Sequence, residues 1–172
     1  MMRMTKVNDS MSSPIFPSPY ITRQFNLADL DEVVRINQLC LPENYPKSFF
    51  TQVYSTIPEA FRVAVDNDKI IGYVMTRLEE PFHFFKRDRK KRGHIISVAV
   101  LPSYRRLGLA RRMIIESLEM LRKYKAHECY LEVRRSNLPA ISLYEGLGFH
   151  QTRVIPRYYK DGEAALVMTK HL

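Results

Sequence analysis

Residues 97–110, SVAVLPSYRRLGLA, join an apolar strand that ends at Pro102 to a basic turn and a helix. A turn from a strand into a helix leaves the first backbone N–H groups of the helix unpaired, and the helix dipole adds positive potential there. Gly108 allows a ligand to approach the backbone closely. Four arginines add formal positive charge: Arg105, Arg106, Arg111 and Arg112. The stretch therefore predicts an anion site suited to a diphosphate.

Length and composition limit the class of protein. The chain has 172 residues, of which 45% are hydrophobic, and this suits one compact α/β domain. No run reaches the roughly 18 apolar residues of a membrane-spanning helix, and the N-terminus lacks the apolar block of a secretory signal. Cys40 and Cys129 stand in apolar contexts, which favours free thiols over a disulfide or a metal pair. We therefore expect a cytoplasmic protein with no membrane partner.

The net charge of +9 favours an anionic partner, whether nucleic acid, the ribosome or a polyphosphate cofactor. The densest basic run is residues 86–92, KRDRKKR, which we place in a loop between two strands. A solvated loop is the simpler interpretation of this run, and contact with nucleic acid or the ribosome is the alternative. Charge alone does not choose among these partners.

Hydrophobic periodicity and turn residues divide the chain into elements. Residues 1–19 lack periodicity and are expected to form a disordered tail, so the domain is expected to span residues 20–172. Strands are predicted at residues 21–25, 61–66, 70–77, 94–101, 129–134, 149–155 and 164–168. Four helices are predicted: one after an Asn26 N-cap, one at 46–57, one that follows the basic turn and one at 138–147. The third has a core-facing stripe of Leu107, Ala110, Ile114, Leu118 and Leu121. This order predicts an α/β fold in which helices cover both faces of a mixed sheet.

Two common nucleotide motifs do not fit the basic turn, because the Rossmann fingerprint needs more glycines and the P-loop needs a Gly-Lys-Ser/Thr ending. The pattern Arg105-x-x-Gly108-x-Ala110 instead resembles the acetyl-CoA pyrophosphate loop of the GNAT acetyltransferase superfamily. Residues 137–149, NLPAISLYEGLGF, resemble a second pattern of that superfamily, Asn-x-x-Ala-x-x-x-Tyr with a trailing Gly-Phe. Taken alone, Tyr144 is better explained as a packed core tyrosine, and the two motifs together favour the family.

Two further segments narrow the resemblance. Residues 41–46, LPENYP, and residues 157–163, RYYKDGE, resemble the peptide-binding walls of N-terminal acetyltransferases. The resemblance extends over roughly residues 20–170 and is closest to NatA-type catalytic subunits in their archaeal form. It implies the GNAT fold, with a mixed, mostly antiparallel central sheet, and direct transfer of an acetyl group from acetyl-CoA to a protein α-amine.

The resemblance also implies roles for individual residues. The backbone of Val98, Ala99 and Val100 would run beside the pantetheine arm, and the Val98 N–H would meet the developing oxyanion. The pyrophosphate would be held by a continuous segment, Arg105, Arg106, Leu107, Gly108, Leu109, Ala110 and Arg111. Asn137 would bond the cofactor, and Tyr144 would give a proton to the departing CoA thiolate.

On the substrate side, the resemblance implies that His94 and Glu132 take the proton of the amine, through water. A structural histidine is an equal alternative for His94, and two ligands are too few to infer a metal site. Glu43 would orient the substrate loop or the amine, and Tyr45 and Tyr159 would pinch the first residues of the peptide. A helix-start carboxylate and packing tyrosines are the plain alternatives for these three.

Competing functions remain open at this point. The enzyme could acetylate lysine side chains or small amines, or the chain could be a basic RNA-binding module. The expected substrates are protein N-termini that begin with Ser, Ala, Thr or retained Met. No auxiliary subunit is inferred, and ribosome contact would run through residues 86–92.

Overall fold

The computed structural model describes residues 19–80 and 90–172. Residues 1–18 of the predicted tail and most of the basic run lie outside them. Within these residues seven strands form one sheet: β1 Ile21–Gln24, β2 Arg62–Asp66, β3 Lys69–Glu79, β4 Lys91–Val100, β5 Ala126–Arg134, β6 His150–Ile155 and β7 Ala165–His171. The same residues contain four α-helices: α1 Leu30–Cys40, α2 Lys47–Tyr54, α3 Leu109–Lys123 and α4 Leu138–Glu145.

The strand order is β1-β2-β3-β4-β5-β7-β6, and only the β4–β5 pair is parallel. One buried cluster joins α1 and α2 to one face of the sheet, and a second joins α3 and α4 to the other. The predicted mixed, mostly antiparallel sheet with helices on both faces is thus confirmed. No helix in the described residues is both long and apolar enough to cross a membrane.

Local sequence explains the element ends that were predicted correctly. Asn26 accepts a hydrogen bond from the Ala28 N–H at 2.9 Å, and Asp29 accepts one from the Asn26 N–H at 2.9 Å. This capping box starts a 3₁₀ turn that leads into α1. Asn67 and Asp68 adopt positive φ angles of 42° and 70°, which closes the β2–β3 hairpin with a two-residue turn.

The second predicted helix is shorter than expected. It begins at Lys47, because Pro46 is extended with φ −68° and ψ 153°, and it ends at Tyr54. The hydroxyls of Ser55 and Thr56 bond backbone carbonyls three residues earlier, which competes with continued helix. The proline at 58 also disfavours helical backbone at the residue before it.

Two other boundaries were wrong. Leu107 was expected in the core stripe, yet it is 47% exposed, because Gly108 adopts φ 77° and α3 starts only at Leu109. Lys91 and Arg92 belong to β4 rather than to the loop. Cross-strand ion pairs hold both of them: Lys91 with Glu80 at 2.8 Å and Arg92 with Glu128 at 2.7 Å.

Candidate active site

A gap between β4 and β5 opens the middle of the sheet. The two parallel strands pair only as far as Ile95 and Leu131, although β4 continues to Val100 and β5 to Arg134. At this point the β3–β4 register skips Ile96, which marks a bulge that bends β4. The edge of β4 that carries the predicted residues 98–100 therefore has no β5 partner. Apart from the Val100 carbonyl, which accepts from Arg105, its backbone groups on that side are available to a ligand.

The free edge of β4 leads directly into the basic turn. Gly108, in the left-handed region at φ 77°, is the N-cap of α3, and no side chain caps the helix. The first bond that closes the helix runs from the Arg112 N–H to the Gly108 carbonyl at 3.0 Å. The N–H groups of residues 109–111 are thus left for an anion, as the sequence predicts.

The arginines of the turn are partly used by the fold. Arg105 donates to the Val100 carbonyl at 3.0 Å, and Arg111 donates to the Gly146 carbonyl at 3.0 Å. Each guanidinium has five N–H donors, so both keep donors for a phosphate. Arg106 adopts φ 66° and is exposed beside them.

The predicted pair His94 and Glu132 is in direct contact, because β4 and β5 are neighbours. The His94 Nε2 donates to a Glu132 oxygen at 2.7 Å. Burial lowers the pKa of His94, but the hydrogen bond to Glu132 and the nearby Glu79 outweigh it, so the pKa is raised. The imidazole also stacks on Tyr130, with ring centres 4.2 Å apart.

Tyr144 lies on α4 and Asn137 is the N-cap of that helix, as predicted. Tyr144 is buried, with its ring edge against Phe149, and its hydroxyl bonds no residue that the structure describes. Burial raises the pKa of this phenol to about 12, so it is protonated at neutral pH. Asn137 accepts a bond from the Ala140 N–H at 3.3 Å and caps α4, which leaves its amide N–H₂ group for another partner.

Arg134 at the end of β5 joins the two predicted substrate walls. It bonds Glu43 at 2.6 Å on one side, and Asp161 at 2.7 Å and Glu163 at 2.8 Å on the other. Its guanidinium also lies 4.1 Å from the centre of the Tyr159 ring. The structure thus brings Glu43 and Tyr159 together around Arg134, whose single positive charge is shared by three carboxylates.

A buried polar network holds the first wall against the sheet. The Asn37 amide donates to the Glu43 carbonyl at 3.1 Å and to the Tyr73 hydroxyl at 3.0 Å. It also accepts from the Tyr45 N–H at 3.3 Å. The Tyr45 ring stacks on Phe49, with ring centres 4.9 Å apart, so its position is set by packing as well as by the network.

Sequence reasoning missed two residues of this site, Glu79 and Arg134. Glu79 belongs to no motif of the family resemblance and reaches the site through strand register. Arg134 lies in residues 130–137, which contribute to the resemblance, but it was assigned no role. The alternation along β3 places Arg77 and Glu79 on one face, and this was the available signal for Glu79. Among the described residues, no group of three metal-ligating side chains is placed to hold a metal ion.

Comparison with known proteins connects this geometry to an acetyl-transfer family. Residues 30–149 match the model of the acetyltransferase (GNAT) family. An N-alpha-acetyltransferase of Sulfurisphaera tokodaii is 43% identical over 156 residues, covering 89% of this chain and 93% of the relative. Among solved structures, Ard1 from Thermoplasma volcanium has a TM-score of 0.78 and 27% identity, over 90% of this chain and 99% of that one.

A further solved structure carries a ligand. Arabidopsis thaliana Naa50 in complex with the bisubstrate analogue CoA-Ac-MVNAL has a TM-score of 0.79 and 25% identity. The match covers 90% of this chain and 100% of that chain.

Proposed function

The chain belongs to the GNAT acetyltransferase family, and we propose that it transfers the acetyl group of acetyl-CoA to the α-amine of protein N-termini. The observation that carries the proposal is the unpaired edge of β4, which continues into the α3 N-terminus that no side chain caps. This path offers backbone hydrogen bonds to an extended arm and then N–H groups to a diphosphate. The long match to an N-alpha-acetyltransferase supports the α-amine as acceptor.

Acetyl-CoA supplies a thioester whose acetyl carbon the amine attacks. Val98, Ala99 and Val100 bind the pantetheine arm through their backbone, and the Val98 N–H stabilises the charge that develops on the carbonyl oxygen. The pyrophosphate lies on the N–H groups and side chains of residues 105–111. The free amide of Asn137, at the start of α4, bonds the cofactor as well.

The acceptor side must provide a neutral amine. An α-amine has a pKa near 8, so roughly a tenth is neutral at pH 7, whereas a lysine amine near 10.4 is almost wholly charged. A modest base is therefore sufficient, and the Glu132–His94 pair takes the proton through water. Glu43, Tyr45 and Tyr159 form the entrance that admits the first residues of the peptide.

Tyr144 acts on the leaving group. Its phenol is protonated at neutral pH and has no hydrogen-bond partner among the described residues, so it is free to donate to the departing thiolate. No covalent enzyme intermediate is needed, because an amine attacks a thioester directly.

The test is acetyl transfer to two matched peptides, one with a free N-terminal Ser and no lysine, the other N-blocked with one internal lysine. We expect labelling of the free-terminus peptide alone by the purified single chain. Preference for the lysine peptide, or no transfer to either, would contradict the proposal. A panel with Ala, Thr, Met and Pro as first residue then measures the preference for small termini and retained Met.

We place this reaction in the cytoplasm, where new protein N-termini emerge, without an obligatory auxiliary subunit. Contact with the ribosome through residues 86–92 stays a prediction from the sequence, since residues 86–89 lie outside the described part. Comparing ribosome co-sedimentation of the full chain with that of a variant neutral at 86–92 measures it.

A further inference from the structure

We propose that Glu79 is a positioning residue of this site: it holds His94 as an imidazolium, whose Nε2–H in turn orients Glu132 toward the substrate amine. The inference rests on the proposed function for its chemistry. None of the motifs that point to the family contains Glu79, and it reaches the site from β3, two strands away from Glu132.

Glu79 is itself held in place by two neighbours. Arg77 donates to one of its oxygens at 2.6 Å. The Tyr130 hydroxyl shares its single proton between both oxygens, at 3.0 and 3.1 Å. The pKa of Glu79 falls to about 2, chiefly because of His94, then Arg77 and Tyr130, so the carboxylate stays charged at neutral pH.

The two ring nitrogens of His94 face carboxylates on opposite sides. Nε2 lies 2.7 Å from a Glu132 oxygen, and Nδ1 lies 3.6 Å from a Glu79 oxygen. Arg77 also lies 3.3 Å from Nδ1, but a guanidinium can only donate and therefore serves only an unprotonated Nδ1. Protonation of Nδ1 moves its pairing from Arg77 to Glu79.

The charges around the ring decide whether Nδ1 of His94 is protonated and pairs with Glu79, or is unprotonated and pairs with Arg77. Among the described residues, the groups that face the ring are the carboxylates of Glu79 and Glu132, the guanidinium of Arg77 and the stacked phenol of Tyr130. Two negative charges and one positive charge leave a net charge of −1, which a proton on His94 neutralises. A further cation, Arg92, lies 4.4 Å from the Tyr130 ring centre.

In this arrangement His94 and Glu132 have different roles. Both nitrogens of an imidazolium donate, so Nε2–H holds one Glu132 oxygen. The second Glu132 oxygen bonds no residue that the structure describes. The amine proton therefore passes to water, the water gives a proton to this second oxygen, and His94 keeps both of its protons throughout.

The experiment compares Glu79→Gln with Glu80→Gln. Glu80 is the adjacent carboxylate, has a 61% exposed side chain and pairs with Lys91, so this control makes the same charge change away from His94. Two quantities are measured: the pKa of His94 by NMR titration of ¹³C-labelled histidine, assigned with His94→Asn, and the pH dependence of kcat and peptide KM. Glu79→Asp keeps the charge and tests rescue.

We expect the His94 pKa to fall by about one unit in Glu79→Gln and to stay unchanged in Glu80→Gln. The kcat of Glu79→Gln should fall about tenfold at pH 8 and less at pH 6.5, with KM little changed, because the imidazolium is lost first at high pH. Glu79→Asp should recover most of the His94 pKa.

An unchanged His94 pKa in Glu79→Gln would overturn the inference, and so would a loss of activity that is greatest at low pH. The titration reads the Glu79–His94 coupling without any turnover. Failure of the wild-type chain on the free-terminus peptide would therefore reject the proposed function and leave this measurement intact.

Discussion

Removal of the Tyr144 hydroxyl tests how the leaving thiolate is stabilised. The pKa of this phenol is about 12, whereas a thiol ionises near 8.5, so full proton transfer to the thiolate is uphill by about 3.5 units, or about 5 kcal/mol. Tyr144 therefore contributes mainly a hydrogen bond to developing negative charge, which is worth about 1.5–3 kcal/mol. We expect Tyr144→Phe to lower kcat by roughly 10- to 150-fold.

The assay is steady-state acetylation of the free-terminus peptide, with Tyr124→Phe as the matched control. Tyr124 loses the same hydroxyl at the far end of α3, where it pairs with Glu59. Tyr144→Phe should leave the melting temperature within about 2 °C of wild type, because no described residue loses a hydrogen bond and the ring keeps its contact with Phe149. An unchanged kcat would refute the donor role, and a loss beyond about 10⁴-fold would refute the hydrogen-bond limit.

Three further predictions follow from the same geometry. Arg134→Gln leaves Glu43 without its cation and should raise the peptide KM about tenfold at unchanged acetyl-CoA KM in two-substrate kinetics; equal changes in both would contradict this. Gly93→Ala places a Cβ in steric overlap with Leu121 Cδ1 and should cost about 1–3 kcal/mol in urea unfolding, and a neutral result would mean that Leu121 moves freely. The pKa of Glu79 falls from 4.5 to about 2 on folding, so its stabilisation is complete above pH 4.5 and is lost toward pH 2. The unfolding free energies of wild type and Glu79→Gln should accordingly differ by up to about 3 kcal/mol at pH 6 and converge at pH 2, and a difference independent of pH would argue against this.

Local sequence signals were sufficient to predict most of the helices and strands. The capping box at Asn26, the two-residue turn at Asn67 and Asp68, and the alternation of β2 and β3 each act over a few residues, so the sequence contains the whole interaction. The prediction that Leu107 lies in the core was wrong for a related reason. The helical stripe was extended through Gly108, but the positive φ of that glycine sets a new start for α3 and turns Leu107 to solvent.

The site was only partly predictable, because its polar contacts depend on which strands become neighbours. The family motifs point to His94 and Glu132, and their 2.7 Å contact follows once β4 and β5 are parallel neighbours. The role of Glu79 needs the β3–β4 register as well, in which Arg77 lies opposite His94. The three carboxylate partners of Arg134 are distant in sequence, so no local pattern reveals them. Glu43 is 91 positions away, Asp161 is 27 and Glu163 is 29.

The distribution of charged side chains in the fold is more informative than the net charge of the chain. The net charge of +9 indicates only an anionic partner. In the proposed reaction the carboxylates Glu43, Glu79 and Glu132 lie on the amine side of the site, whereas the arginines of residues 105–111 lie at the α3 N-terminus. A peptide N-terminus arrives mostly as an ammonium, since its pKa is near 8, so an acidic entrance attracts it in the form that predominates. Carboxylates without partners would also stabilise the ammonium form and so oppose loss of its proton. In the proposed reaction Arg134 pairs with Glu43 and Arg77 binds Glu79, which leaves the second oxygen of Glu132 to accept the proton.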